Sequence, residues 1–203
     1  WRLFAKPTGL GYPGGLGPDT FVSMAKKDYG VVVDREQAET LRNVWRQTYP
    51  EMIEFFEWIN WQHDPHNAGK YAYETPMGLY RANCLFTEAS NGAGMQSRAA
   101  EGAKAAIFQV SRACYDTSMN NILYGQRIVN FAHDELIMEL DDDGLLHERA
   151  CLVRDTMVAC MQLVMPDVTI RAEPVAMRRW NKKAKPKFDA NERLIVWEPP
   201  RSP

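Results

Sequence analysis

Cysteine is scarce and scattered: Cys84, Cys114, Cys151 and Cys160 form no C-x-x-C pair, which argues against a zinc cage and a disulfide framework and leaves four reduced core thiols as the expectation. Long hydrophobic runs are missing too. No apolar stretch approaches the ~18 residues of a membrane span, and Trp1-Arg2-Leu3-Phe4 does not have the layout of a secretion signal, so an intracellular, cytoplasmic protein without a membrane partner is expected. Nor is there an excess of charge of either sign. With 24 Lys and Arg against 26 Asp and Glu, the formal net charge is -2, and any attraction to nucleic acid has to come from a local patch. Internal repeats and low-complexity tracts are also absent. What remains is a chain of 203 residues with an ordinary 45% hydrophobic content. That length buries roughly 70% of the unfolded surface and suits one large domain or two small ones.

The most informative stretch is Val129-Asn-Phe-Ala-His-Asp-Glu-Leu-Ile-Met-Glu-Leu140, where two alternating apolar runs meet at three ionisable residues. The pattern predicts strand, tight turn, strand, with Val129 and Phe131 on one buried face and Leu136, Met138 and Leu140 on another. His133, Asp134 and Glu135 then fall at the turn. Adjacent carboxylates repel one another without a counter-charge, so this pair suits a divalent cation. It suits an ordinary solvated turn as well.

Elsewhere the pattern is mostly helical. Arg2 and Lys6 share one face of a short helical turn that Pro7 is expected to limit, ahead of a loop rich in glycine and proline through Pro18. Two such cations can hold a polyphosphate or simply be solvated. Asp19 is expected to cap the next helix, and Asp34-x-x-Gln37 is a capping box opening another. Leu41, Val44, Trp45, Met52, Phe55, Phe56 and Ile59 keep helical spacing around a break at Pro50, which places these aromatics in a core. His63 and His66 flank Pro65, a weak metal pattern. Tyr71 to Thr87 reads as strands or a hairpin, with turn chemistry at Pro76 and Gly78. A long helix is predicted from about Asn91 to Cys114 and a second from about Leu145 to Val164. Between the hairpin and that second helix, Asp141-Asp142-Asp143-Gly144 lacks the spacing of an EF-hand loop and reads as a solvated turn. Val168 to Glu173 alternates like a strand. Arg178-Arg179-Trp180-Asn181-Lys182-Lys183-Ala184-Lys185-Pro186-Lys187 is the one dense basic segment, either simply solvated, as basic tails usually are, or able to follow a phosphate backbone.

Together these pieces resemble the C-terminal part of a family A (polymerase I type) DNA polymerase of the kind bacteriophages encode, over nearly the whole chain. His133-Asp134-Glu135 looks like the family's last palm motif, in which the Asp ligates catalytic metal and the Glu and His support the primer terminus. Asn91-Gly-Ala-Gly-Met-Gln96-Ser-Arg98 is similar to the palm helix whose Gln and Asn touch template and primer in the minor groove. Arg2-x-x-x-Lys6 matches the fingers helix that holds the incoming triphosphate. Thr75-Pro-x-Gly78-x-x-Arg81 and Arg179-Trp180-x-Lys182-x-Ala184 look like the phage branch.

The resemblance implies an α+β fold, with a helical fingers segment over residues 1–88 and, over 89–203, a palm of antiparallel sheet backed by helices. It implies DNA-templated nucleotide addition by two Mg²⁺ ions, one of them anchored by Asp134, with primer-template DNA and deoxynucleoside triphosphates as partners. His133, Asp134 and Glu135 would be the catalytic residues; Arg2, Lys6 and Tyr12 would bind nucleotide; Asn91, Gln96, Arg98, Arg81, Arg179 and Lys182 would bind DNA. Where the family carries aromatics four and eight residues beyond the Lys, this chain has Leu10 and Gly14. Asn91 and Gln96 are five apart, where four is usual. The family's first palm motif precedes the fingers helix, so a second chain or N-terminal segment is expected to bring that motif and the thumb. Asp34-Arg-Glu-Gln-Ala-Glu39 imitates its spacing but reads as a helix cap. The alternatives are a non-catalytic nucleic-acid-binding module and a metal-dependent nuclease.

Overall fold

The computed structural model of the chain describes residues 2–62 and 70–200, apart from the side chain of Arg2; the His63 and His66 pattern lies outside the described residues. The chain divides into two compact units, residues 1–98 and 99–203. Both small sheets are antiparallel pairs among helices, an α+β architecture as the sequence predicts.

The first unit begins with α1 (Arg2–Gly11), which continues through Pro7 instead of stopping there. A proline inside a helix forfeits one backbone hydrogen bond and crowds the preceding turn. Here its ring is fully buried, whereas Leu3 in that preceding turn is exposed, so packing offsets the loss. A 3₁₀ turn, Tyr12–Gly14, follows. Helix α2 (Pro18–Tyr29) is capped by Gly17, with Pro18 in its first turn; Asp19, the expected cap, lies one residue further in. Helix α3 (Arg35–Thr48) has the predicted capping box. The Asp34 carboxylate accepts from the Gln37 backbone at 2.7 Å, and the Asp34 backbone N–H donates to the Gln37 side chain at 3.2 Å. Pro50 separates α3 from α4 (Glu51–Trp61). Tyr12, Phe21, Ala25, Ala38, Trp45 and Phe56 form the core these helices share, with Tyr12 and Phe21 stacked at 4.5 Å between centroids. The pair β1 (Tyr71–Glu74) and β2 (Tyr80–Cys84) is the predicted hairpin. Its Tyr73 enters a second cluster with Ile59, Cys84, Ala89 and Ala93.

The long helix expected from about Asn91 starts earlier, within residues expected to close the hairpin, and is three consecutive segments: α5 (Phe86–Asn91), a π-helical run over Gly92–Gln96, and α6 (Ser97–Tyr115). The second unit contains most of α6, then β3 (Arg127–Ala132), β4 (Glu135–Glu139) and α7 (Leu146–Val164). Val110, Ala113, Cys114 and Leu123 form a core with Ile128, Leu136 and Met138 packed on it. The segment 168–173 expected as a strand is irregular. Its alternation buries nothing completely, as Val168 is half exposed, so no ladder is required. Further on, Ala176 and Leu194 pack on Ala150 of α7, and a single bridge joins Met177 to Trp197.

Candidate functional site

The hairpin forms as the sequence predicts, but the pairing of its faces differs. Ala132 pairs with Glu135 and Phe131 with Leu136, after which the register shifts so that Ile128 opposes Met138. The shift is a bulge at Val129. One extra residue on one strand breaks the period of two, so Ile128, not Val129, joins the core with Leu136 and Met138, while Val129 is 50% exposed. Phe131 shares the Leu136 face but sits near the tip, partly exposed. Strict alternation could not see the bulge.

His133 and Asp134 are the two turn residues. His133 has a φ of 58°, the left-handed conformation that a non-glycine side chain rarely takes and that tight hairpin turns require. Asp134 and Glu135 are both exposed. Among the described residues neither carboxylate has a hydrogen-bond or ion-pair partner, which leaves both available to a cation. Among those residues no three His, Cys, Asp or Glu side chains cluster as a metal site. Asp134 and Glu135 therefore fit one side of an ion's coordination shell and no more.

What holds this hairpin comes from Gln126 and Arg149, which the sequence reading passed over, and from the acidic run it expected to be solvated. Gln126 and Asp141, just outside the two strands, exchange two hydrogen bonds of 2.9 and 2.7 Å, closing the open end of the hairpin. Arg149 on α7 is buried and makes a bidentate pair with Asp143 at 2.6 and 2.7 Å, while also donating to the carbonyls of Ile122 at 2.9 Å and Asp141 at 3.2 Å. Asp142 pairs with Arg178 at 2.7 Å. The acidic run is thus engaged throughout, not merely solvated. Hydrogen bonds from the Arg149 guanidinium, chiefly, hold the Asp143 carboxyl below its ordinary range. One signal was available: Arg149 falls on the apolar stripe of α7, beside Leu146, Ala150 and Val153.

In the first unit, Lys6 is exposed, with its ammonium 5.7 Å from the centroid of the Tyr29 ring. Arg2 opens the same helix. Tyr12 is 1% exposed and its hydroxyl donates to the Ala38 carbonyl at 2.6 Å; burial pushes its pKa up to about 12, with Arg42 opposing the shift. The turn containing Tyr12 is fastened to α5. Ser90 donates to the Pro13 carbonyl at 2.8 Å, and a Cβ on Gly14 would stand 2.6 Å from the Asn91 amide nitrogen. Asn91 is thereby brought against the end of the Lys6 segment.

The π-helical run resolves the unusual spacing of Asn91 and Gln96. Residues five apart sit about 140° apart around an α-helix of 3.6 residues per turn, but the wider π turn closes an i→i+5 hydrogen bond, here from Ser97 N–H to Gly92 C=O. That geometry brings Asn91 and Gln96 toward one face. Gln96 is exposed and Arg98 half-buried, its Nε without a partner. Arg81 on β2 is exposed. In the second unit Arg179 and Lys182 are exposed on the basic segment.

No family model matches the chain. The chain is distantly similar to DNA polymerase I of Aquifex aeolicus (strain VF5). The two are 21% identical over 181 residues, which is 89% of this chain and 30% of that polymerase. The likeness suggests a family A polymerase relationship and spans less than a third of the relative. Among the described residues no helix is long and apolar enough to cross a membrane.

Proposed function

We propose that this chain is a fingers and palm segment, of phage type, taking part in DNA-templated nucleotide addition by a two-ion mechanism. The observation that carries the reading is the turn itself: Asp134 stands unpaired at the tip of a hairpin whose open end is closed by Gln126 and Asp141, in a chain distantly similar to a DNA polymerase I. Asp134 would hold one Mg²⁺ ion, with Glu135 and His133 at the primer terminus. When bound, the ion pair lowers the barrier to phosphoryl transfer by activating the primer hydroxyl and stabilising the leaving phosphate. A complete pair needs another carboxylate strand, supplied from outside these 203 residues by the same polypeptide or a second chain.

Residues 1–88 serve as the fingers in this reading and residues 89–203 as the palm. Arg2 and Lys6 hold the incoming triphosphate as fork and point charge, for which Lys6 leaves the Tyr29 ring. Tyr12, buried as it is, acts from within by tying the Lys6 segment to α3. Asn91 and Gln96 meet the duplex from their shared helical face, and Arg81, Arg98, Arg179 and Lys182 meet its phosphates. The test is primer extension with Mg²⁺. The 203 residues alone should not extend a primer, whereas joined or mixed with a segment that brings the second carboxylate they should. In that active form Asp134→Asn should keep DNA binding and slow addition about a thousandfold, roughly 4 kcal/mol of barrier. Extension at an unchanged rate would remove Asp134 from the chemistry.

A further inference from the structure

A cleft of ≈ 180 Å³ in the first unit is separate from every residue assigned above except Tyr12, which forms part of its wall. Arg42 and Arg46, one turn apart on α3, enter it beside Asn60, with Trp45, Phe56 and Phe86 as apolar walls. No carboxylate lines it. We propose that this cleft binds a phosphoryl group of a nucleoside phosphate, either in a single strand or in a free nucleotide, between the two guanidiniums.

The charge arrangement is the first argument. Like charges four residues apart on a helix repel, and proteins usually relieve this with acids. Arg35 on the same helix has two such partners, Asp19 at 3.5 Å and Glu39 at 3.2 Å. Among the described residues Arg42 and Arg46 have none. Burial and, secondarily, the Arg42 charge pull the Arg46 guanidinium below its ordinary pKa, as expected of a half-buried cation awaiting an anion. Two guanidinium forks suit the several oxygens of one phosphate better than a single carboxylate.

The walls are the second argument. Apolar surroundings strengthen an ionic contact relative to open water, and the Phe86 ring, packed against Phe56 and Tyr71 at 5.8 and 5.5 Å between centroids, is only partly buried, so its exposed part is an apolar surface for the sugar or base. Asn60, whose carbonyl oxygen accepts from the Tyr71 hydroxyl at 3.4 Å, adds an amide NH₂ as donor. Sites that enclose a whole drug-sized ligand measure about 300–1,000 Å³. This smaller cleft takes the phosphoryl group and adjoining sugar and leaves the base at the mouth.

The choice of a nucleoside phosphate rests on the proposed polymerase reading, but the binding chemistry needs neither Mg²⁺ nor extension. The experiment therefore measures binding alone, on the full 203 residues without divalent ions. Fluorescein-labelled oligothymidylate is titrated by anisotropy across a salt series, and thymidine triphosphate by calorimetry, against Arg42→Gln/Arg46→Gln and Arg42→Lys/Arg46→Lys. If a strand is the ligand, the Gln pair should weaken oligothymidylate at least tenfold and reduce the magnitude of the salt slope by about 0.7 for each phosphate lost. The Lys pair should keep the slope and lose less affinity. If a free nucleotide is the ligand, the tenfold loss should appear with the triphosphate instead. Relief of the arginine repulsion should leave the Gln pair at least as resistant to urea as the parent. Unchanged affinity for both probes overturns the proposal, even where primer extension upholds the polymerase reading; a tenfold loss upholds it even where extension fails.

Discussion

Replacing Arg149 by Met should destabilise the second unit by about 3 kcal/mol. The residue is 5% exposed and serves four acceptor atoms at once. Met fills much of its volume without charge, so the loss falls mainly on the two backbone carbonyls, Ile122 and Asp141, left in a partly buried place without a donor. An orphaned acceptor costs about 1–3 kcal/mol; two of them at the middle of that range, partly relieved by water, give the figure. The Asp143 side chain is 45% exposed, so its share of the pair is screened and is not added. Urea unfolding read by circular dichroism measures the loss. Hydrogen exchange locates it, because Asp141 closes the open end of the hairpin, and the amides of Ile128 and Met138 should exchange faster while those of the first unit do not. The same contact fixes an acid dependence. Asp143 is held below the ordinary carboxyl range in the fold, so its stabilising contribution is present above the unfolded value of about 3.9 and is lost as pH falls through the lower folded value; the Met variant should not show that part of the acid transition. A loss under about 1 kcal/mol, or exchange unchanged in the hairpin, would refute the reasoning.

Two further outcomes concern the first unit. Burial pushes the Tyr12 hydroxyl up to about 12 from an ordinary 10.0, so the preference for its protonated form should be intact below pH 10 and lost as pH rises toward 12; at about 1.36 kcal/mol per unit this amounts to about 3 kcal/mol, to be seen as cooperative alkaline unfolding with late tyrosinate absorbance that Tyr12→Phe does not show. Asp34→Ala removes the side-chain half of the α3 capping box, the 2.7 Å bond accepted from the Gln37 backbone, and should lower the urea stability of the unit by about 1 kcal/mol; no measurable change would mean that the cap is frayed in solution.

Elements with a strong local signal were legible in the sequence. The capping box at Asp34, the break at Pro50, the hairpin at 71–84 and the span of α7 all follow from residues within a few positions of one another. Features set by contacts from afar were not. Pro7 was expected to limit a helix because a proline's cost is local, but the burial that offsets it is tertiary. The Val129 bulge exchanges which of two adjacent apolar residues is buried, and alternation is blind to one inserted residue. The Asp141–Asp143 run reads as solvent-loving until Gln126, Arg149 and Arg178 arrive from other elements. The turn at His133 and Asp134 was placed correctly because flanking hydrophobicity and turn chemistry agreed. The family resemblance offered Arg2, Lys6 and Tyr12 as one group; that Lys6 is exposed while Tyr12 is buried depends on a core that only the fold assembles.

The π-helical run is the sharpest case of a local irregularity that preserves what lies on either side. Before it, Ser90 is anchored to the Pro13 carbonyl at 2.8 Å; after it, Ser97 shares a hydrogen bond of 2.9 Å with the buried Tyr73 hydroxyl. A regular α-helix carrying the same residues would turn Ser97 away by about 100°, one residue's rotation at 3.6 per turn, and break one of the two anchors. The π turn absorbs that residue. Excising Gly94 should therefore be tolerated, since the helix returns to i→i+4 bonding with both anchors in register and with Asn91 and Gln96 four apart on one face. The Phe55 ring packs close on Gly94, where a Cβ would meet it at 2.7 Å, so the residue that moves into that place has to displace the ring, and this cost is set against the glycine's helical cost of about 1 kcal/mol, which is removed. The net change in urea stability should lie within about 1 kcal/mol of the parent. Inserting an alanine after Gly94 should do the opposite, since a second extra residue has no wider regular turn to enter; at least one anchor breaks, and an overpacked or mis-registered core costs about 1–3 kcal/mol or more. If the deletion proves as damaging as the insertion, the π run is not an accommodated extra residue, and the alignment of Asn91 with Gln96 needs another cause.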